Sequence, residues 1–438
     1  MAGPASHREI AMLSLPALGT LAAEPLYLLA DTAIVGHLGT RELAALALAA
    51  VVLGAIVNLC NFLAYGATGR IGRLVGAGDR RAAAFEGIQG LWLAAAVGAV
   101  VVLACLLLAG GAMDLLAGDE RADVRDAAAR YLRIGSLGLP FALIALAAQG
   151  YLRGVADLRT PLVIVVWANV VNVALELLFV YGFGWGLDGS AAGTVVAQAG
   201  MATAFVVVTV RRVRGDDPDV PSAPAPRAMA GQLTIGAPIV IRTGSLLAAF
   251  LVATAVLARF GAPSLGAHQI AFQIFIFLAL VLDAIAIAAQ VLVSRALGAG
   301  QAGAARDTAL RICRWGLVAG TGGALLLLAG RGVLPRAFTS DPEVLRLCSE
   351  LWPVFALMLP VGAVVFALDG ILLGAGDLRY IAIAMVISAL GVFLPIALLT
   401  LRNDWGVRGV WWGIVGLMLA RFLTLAPRLA PRRWARFA

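Results

Sequence analysis

Five carboxylates lie inside otherwise apolar runs: Glu24, Asp31, Glu176, Asp283 and Asp369. A charged Asp at the centre of a membrane helix costs about 2.5–3.5 kcal/mol on the insertion scale. Such side chains must therefore be neutral, paired or wet. Glu24 and Asp31 are seven residues apart in the run Pro16–Gly39, which puts them on one helix face, about 10 Å apart along the axis. Asn169, Asn172 and Glu176 recur at i, i+3 and i+7, a polar stripe within about 60° of arc. Thr194 and Gln198 follow at i, i+4, and Tyr131 and Gln149 stand eighteen residues apart, one face of an unbroken helix. Carboxylates, amide oxygens and hydroxyls gathered in this way suit a proton or a hard cation such as Na⁺, which prefers oxygen ligands.

The second half offers fewer such groups. Asp283 shares a face with Gln290, and Asp369 lies seventy-nine residues beyond it. His268 precedes Asp283 by fifteen residues, about 22 Å along one helix, so the two cannot pair. His268 is expected to be a hydrogen-bonded packing residue. Arg242 is expected to snorkel to the cytoplasmic edge. The four cysteines, Cys60, Cys105, Cys313 and Cys348, show no metal or disulfide spacing.

Long apolar helices must position these groups. The chain is 61% hydrophobic and 13% charged over 438 residues, which excludes a soluble fold. Hydropathy predicts twelve spans, near 10–37, 42–69, 82–109, 126–152, 160–182, 188–210, 232–259, 264–296, 304–329, 344–373, 378–400 and 408–428. All should be α-helices, because lipid forces backbone hydrogen bonds to close within a segment and no barrel alternation is present. Lysine is absent, and the 33 arginines are scattered between spans rather than clustered with aromatics. That argues for membrane orientation and against a nucleic-acid partner. About 20 of the arginines, including Arg70, Arg73, Arg211, Arg432 and Arg433, fall on the side that holds both termini. Both termini are therefore expected in the cytoplasm.

The two halves repeat. Pro16 matches Pro238 and Gly39 matches Gly261 at an offset of 222, as Arg73–Gly78 matches Arg295–Gly300. At an offset of 220, GVADLR (Gly154–Arg159) matches GAGDLR (Gly374–Arg379), and Trp185–Gly193 matches Trp405–Gly413. Six spans per half make the repeats parallel, with a pseudo-two-fold axis along the membrane normal and a binding site expected between them. The predicted division is an N-lobe at 1–211, a charged and Pro/Ala-rich cytoplasmic linker at 212–231, a C-lobe at 232–428 and a basic tail at 429–438. The acids are not repeated: Glu24 aligns with Leu246 and Asp31 with Ala253. Ion coupling is therefore expected mainly in the N-lobe.

In order along the chain, EPLYLLADTAIVGHLG, GAHQIAFQIF, LDAIAIAAQVLVSRALGAG and LDGILLGAGDLR resemble the multidrug and toxic compound extrusion (MATE) family, in its DinF-like branch. The resemblance implies export of cationic, often aromatic drugs in exchange for H⁺ or Na⁺. It implies that Asp31 is the central coupling carboxylate, working with Asn172, Glu176, Tyr131 and Thr194. The family's acid at Glu176 is commonly Asp, so the side chain here is one methylene longer. Glu24, Gln149, Asn169, Gln198, Asp283 and Asp369 are expected to line the substrate cavity.

The expected function is proton-coupled antiport of amphipathic organic cations by a monomeric, multi-pass protein of the plasma (inner) membrane. No cofactor or structural metal is expected, and no nucleophile elbow, phosphate loop or clustered ligand set suggests an enzyme. Na⁺ coupling through Asp31, Asn172, Glu176 and Thr194 is the first alternative. Export of an organic acid or metabolite is a second, and lipid-precursor flipping a third.

Overall fold

The structure is a computed structural model that describes residues 3–117, 122–430 and 434. Of the residues named above, Arg432 and Arg433 of the basic tail lie outside that set. Every regular element among the described residues is helical. In chain order the helices are α1 (His7–Gly36), α2 (Thr40–Gly76), α3 (Arg80–Leu116), α4 (Ala122–Ser136 and Leu139–Gly154), α5 (Arg159–Gly182), α6 (Gly186–Asp216), α7 (Pro226–Ala258), α8 (Ala262–Gly298), α9 (Ala302–Gly330), α10 (Pro342–Ala375), α11 (Leu378–Arg402) and α12 (Gly406–Leu429). Eleven are long and apolar enough to cross a membrane as they stand. The twelfth, α4, bends by 47° between its two pieces. That bend follows Gly135 and Gly138 and precedes Pro140, residues that loosen a helix and remove a backbone donor.

The repeat reappears in the backbone. Gly78 and its counterpart Gly300 both turn with positive φ, 82° and 70°. At Ala156 and Gly376, 220 residues apart, φ is 61° and 75°. The second half has glycine where this left-handed turn is free of strain; the first half makes the same turn with alanine.

Two compact units divide the chain inside α1 and α7: Gly19–Gly236 is one, and Ala237–Ala438 with Met1–Leu18 is the other. These borders differ from a division at 211 and 232, and side-chain bonds explain why. Within the first unit, Gln89 donates to the carbonyl of Ala223 (2.9 Å) and accepts from the Ala225 amide (2.7 Å). Trp92 Nε1 donates to Ser222 O (2.8 Å), and Gln232 donates to Glu86 Oε2 (2.8 Å). The segment expected to be the inter-lobe linker is docked on α3. α6 runs on to Asp216 and α7 already begins at Pro226, which leaves only 217–225 outside helix.

In the second unit the chain's leading segment is held likewise. The Ala5 amide donates to Thr308 Oγ1 (2.9 Å), Arg311 donates to Ala5 O (2.5 Å) and Trp315 Nε1 donates to His7 Nδ1 (2.8 Å). Ile10 is fully buried with Ile285, Ala289, Ile312 and Ile371, and Trp434 closes the same cluster. Glycines stand where helices approach closest, Gly150 against Ala64 in one unit and Gly370 against Ala286 in the other, since small residues let backbones approach closely. A Cβ at Gly370 of α10 would lie 2.1 Å from the Ala286 carbonyl oxygen of α8.

Candidate functional site

The N-terminal acids meet inside the unit Gly19–Gly236. α1 brings Asp31, α5 brings Asn172 and Glu176, α6 brings Ser190 and Thr194, and the first piece of α4 brings Tyr131. All six are buried, with Glu176 and Ser190 at 0% exposure. Ser190 and Thr194 are i and i+4, so α6 presents two hydroxyls from one face. Each serves one acid. Ser190 Oγ donates to Asp31 Oδ1 (2.7 Å), and Thr194 Oγ1 donates to Glu176 Oε1 (3.2 Å).

Thr194 also meets a tyrosine: Tyr27, one turn before Asp31 on α1, bonds Thr194 Oγ1 at 3.1 Å. Asn172 Nδ2 donates to Thr194 as well (3.3 Å). A hydroxyl has one proton and two lone pairs, so with Tyr27 donating, Thr194 is saturated. Two buried acceptors in the cluster have no hydrogen-bond partner among the described residues: Glu176 Oε2 and Asn172 Oδ1.

The five residues expected to couple ions, Asp31, Asn172, Glu176, Tyr131 and Thr194, are therefore brought together. The expected cavity residues are not. Asn169 donates to the carbonyl of Ala23 (2.7 Å) and ties α5 to α1. Glu24 is exposed where Asp31 is buried, so the two acids of α1 share a face but not an environment. Gln149 and Tyr131 lie in different pieces of α4, on either side of its bend; Gln149 accepts from Arg153 (3.2 Å). Gln198 packs on Gly138 in that bend, where a Cβ would lie 2.0 Å from its Oε1.

In the other unit, Asp283 is half-buried on α8. Asp369 of α10 is buried and accepts through Oδ2 from two arginines, Arg242 of α7 (2.8 Å) and Arg421 of α12. This corrects the expectation for Arg242: a buried carboxylate offers its charge a partner, so the side chain turns inward instead of snorkelling. His268 is a packing residue, stacked on Phe272 and set edge-on to Trp411 in an aromatic cluster.

Sequence reasoning missed Ser190, Tyr27 and Arg421. The first two carried a signal: Ser190 is one turn before Thr194, and Tyr27 one turn before Asp31. Arg421, near the end of the last span, carried none.

Long apolar helices with an acid pair held by hydroxyls among them suit a membrane carrier. The MatE family model matches residues 16–178 and 238–399, one match in each half. Protein DETOXIFICATION 44, chloroplastic, of Arabidopsis thaliana is 32% identical over 97% of this chain and 82% of its own length. DNA damage-inducible protein F of Escherichia coli (strain K12) is 28% identical, covering 96% of this chain and 91% of that protein. A solved structure of MATE in the bent conformation superposes with a TM-score of 0.88 at 20% identity, covering 98% of this chain and 95% of that one. The chain belongs to the MATE family of membrane transporters.

Proposed function

We propose that this chain is a proton-coupled antiporter that exports amphipathic organic cations across the plasma membrane, working as a monomer with both termini in the cytoplasm. The observation that carries this reading is the buried cluster of Asp31 and Glu176, with acceptor oxygens that lack donors. A buried acceptor without a partner costs about 1–3 kcal/mol, and a proton removes that cost by turning a carboxylate oxygen into a donor. Two ionised acids in one desolvated site also repel, so occupancy by a proton and by a cationic drug compete. Competition of this kind supplies the differential binding that an alternating cycle needs. Outside, protonation weakens the hold on the drug; inside, loss of the proton restores it.

The hydrogen bonds at Thr194 favour H⁺ over Na⁺. With Tyr27 and Asn172 donating to its two lone pairs, Thr194 has none left for a metal ion. A sodium ion would have to break that arrangement; a proton on Glu176 leaves it intact. Asp369 also supports a cycle centred on Asp31 and Glu176, because it is engaged by two arginines.

The test is efflux of ethidium from reconstituted liposomes under separate pH and Na⁺ gradients. A pH gradient alone is expected to drive transport, and Asp31→Asn and Glu176→Gln are each expected to abolish the coupled component. Transport that needs Na⁺ and ignores the pH gradient would replace this reading with sodium exchange.

A further inference from the structure

α1 carries Asp31 at the end of a stretch that packing holds weakly. From Glu24 to Ala30 every residue of α1 is at least partly exposed, whereas Ala23 and Asp31 on either side are buried. Tyr27 and Asp31 reach hydroxyls of α6. Two side chains of α5 bracket the same stretch. Asn169 Nδ2 donates to the carbonyl of Ala23, and the Tyr181 hydroxyl donates to the carbonyl of Ile34, each at 2.7 Å. A carbonyl can only accept and has two lone pairs, so Asn169 adds a second bond where the helix ladder uses one. Ile34 lies in the last turn of α1, where carbonyls have no donor within their own helix. Tyr181 supplies one.

The spacings on the two helices match. Ala23 and Ile34 are eleven residues apart, about three turns and about 16 Å, so both accept on one face of α1. Asn169 and Tyr181 are twelve residues apart, about 18 Å along α5. The two helices are thus tied once before their acids and once after them: Asp31 lies between the ties on α1, and Glu176 between them on α5. A slip of one helix along the other breaks both ties together. In the second half of the repeat, Ala389 and Leu401 stand where Asn169 and Tyr181 stand in the first, and neither side chain can donate. The acids are missing there too, with Ala253 and Ile396 in their places. Ties and acids occur together in one half, so the ties are not a requirement of the shared scaffold.

We propose that Asn169 and Tyr181 are positioning residues that fix the register of α1 against α5, and so set the spacing of Asp31 and Glu176 that an organic cation meets. The proposal rests on the reading above in which those two acids hold the cation. Neither positioning residue has to touch the cation, because each spends its donor on the backbone of α1.

The test pairs a distance with a kinetic readout. Spin labels at Leu29→Cys on α1 and Val170→Cys on α5, both exposed positions, report the register by pulsed electron paramagnetic resonance once the four native cysteines are changed to alanine. Without further substitution a single narrow distance is expected. Tyr181→Phe, which keeps the ring, and Asn169→Leu should each broaden it, and the double variant should broaden it most. In unlabelled protein the double variant should raise the KM for ethidium efflux from liposomes about fivefold while kcat changes by less than about twofold, the pattern of lost binding rather than lost turnover. Asn169→Gln, which keeps a donor, should recover most of the loss of Asn169→Leu. A double variant whose distance stays as narrow as the wild type's, or whose thermal midpoint falls while KM is unchanged, would overturn the assignment of Asn169 and Tyr181 alone. Ethidium binding of wild-type affinity in both Asp31→Asn and Glu176→Gln would overturn the reading on which it rests.

Discussion

Thr194 concentrates more hydrogen bonds than any other side chain in the acid cluster, so its loss is the sharpest test of the network. Thr194→Val keeps the shape but strips the donor from Glu176 and the acceptor from Tyr27 and Asn172. Leaving buried polar groups unpaired costs about 1–3 kcal/mol each. Apparent ethidium affinity should fall at least tenfold in equilibrium titrations, and Thr194→Ser should recover most of it. Asp369 is the corresponding test in the other unit. Asp369→Asn removes the charge that pairs with the buried Arg421 and the partly buried Arg242, and breaking a buried pair in this way costs about 3–5 kcal/mol. Thermal unfolding in detergent should show a large loss of stability. The double variant Asp369→Asn with Arg421→Met should lose less than the two single losses added together. At this scale the sequence disclosed what a helical period discloses. Asp31, Asn172, Glu176 and Thr194 stand out as polar residues at repeating spacing. Ser190 was hidden because a serine in GSAAGT reads as one more small packing residue. Arg421 was hidden because an arginine near the end of a span reads as an interfacial charge.

α10 and α8 approach so closely at Gly370 that an added methyl would meet backbone, not a movable side chain. Gly370→Ala must push the two helices apart, and overpacking of this kind costs about 1–3 kcal/mol. Gly362→Ala, on the same helix, has open space at its Cβ and should not lower the thermal midpoint. That contrast, read by thermal unfolding, separates packing from helix propensity, since both substitutions favour the helix equally. The spans themselves were legible because an apolar run of twenty residues has few other fates. Bends were not. Hydropathy sees the composition of α4 but not the 47° angle inside it, which sets Tyr131 and Gln149 in separate pieces of the helix. Gly135, Gly138 and Pro140 mark the place in the sequence, yet such residues also occur in straight membrane helices. The π-helical turns that end α5 at Leu178–Gly182 and interrupt α11 at Ile387–Phe393 likewise have no composition of their own.

Over the whole molecule, the duplication is structural and the chemistry is not duplicated. Asn172 and Glu176 align with Val392 and Ile396, and Gln149 with Asp369. One proton exchanged for one monovalent cation moves no net charge. A membrane potential imposed alone should therefore leave ethidium distribution unchanged, whereas one pH unit should sustain about a tenfold gradient. Accumulation in liposomes under a potassium diffusion potential checks this. The repeat was readable from its motifs, but the exchange of leading segments was not, because no motif marks Ala5 or Ala223. Gln89 and Arg311, equivalent positions 222 apart, each bind the backbone of the stretch that leads into the other half. This has a consequence for dissection of the gene. Severed at Asp217, the chain would yield two pieces, each carrying the segment that seals its sibling. Neither fragment should survive expression alone, and co-expressed fragments should copurify through an affinity tag on only one of them. A half-length ancestor built in this way would have paired by trading its leaders, and fusion would have preserved the trade.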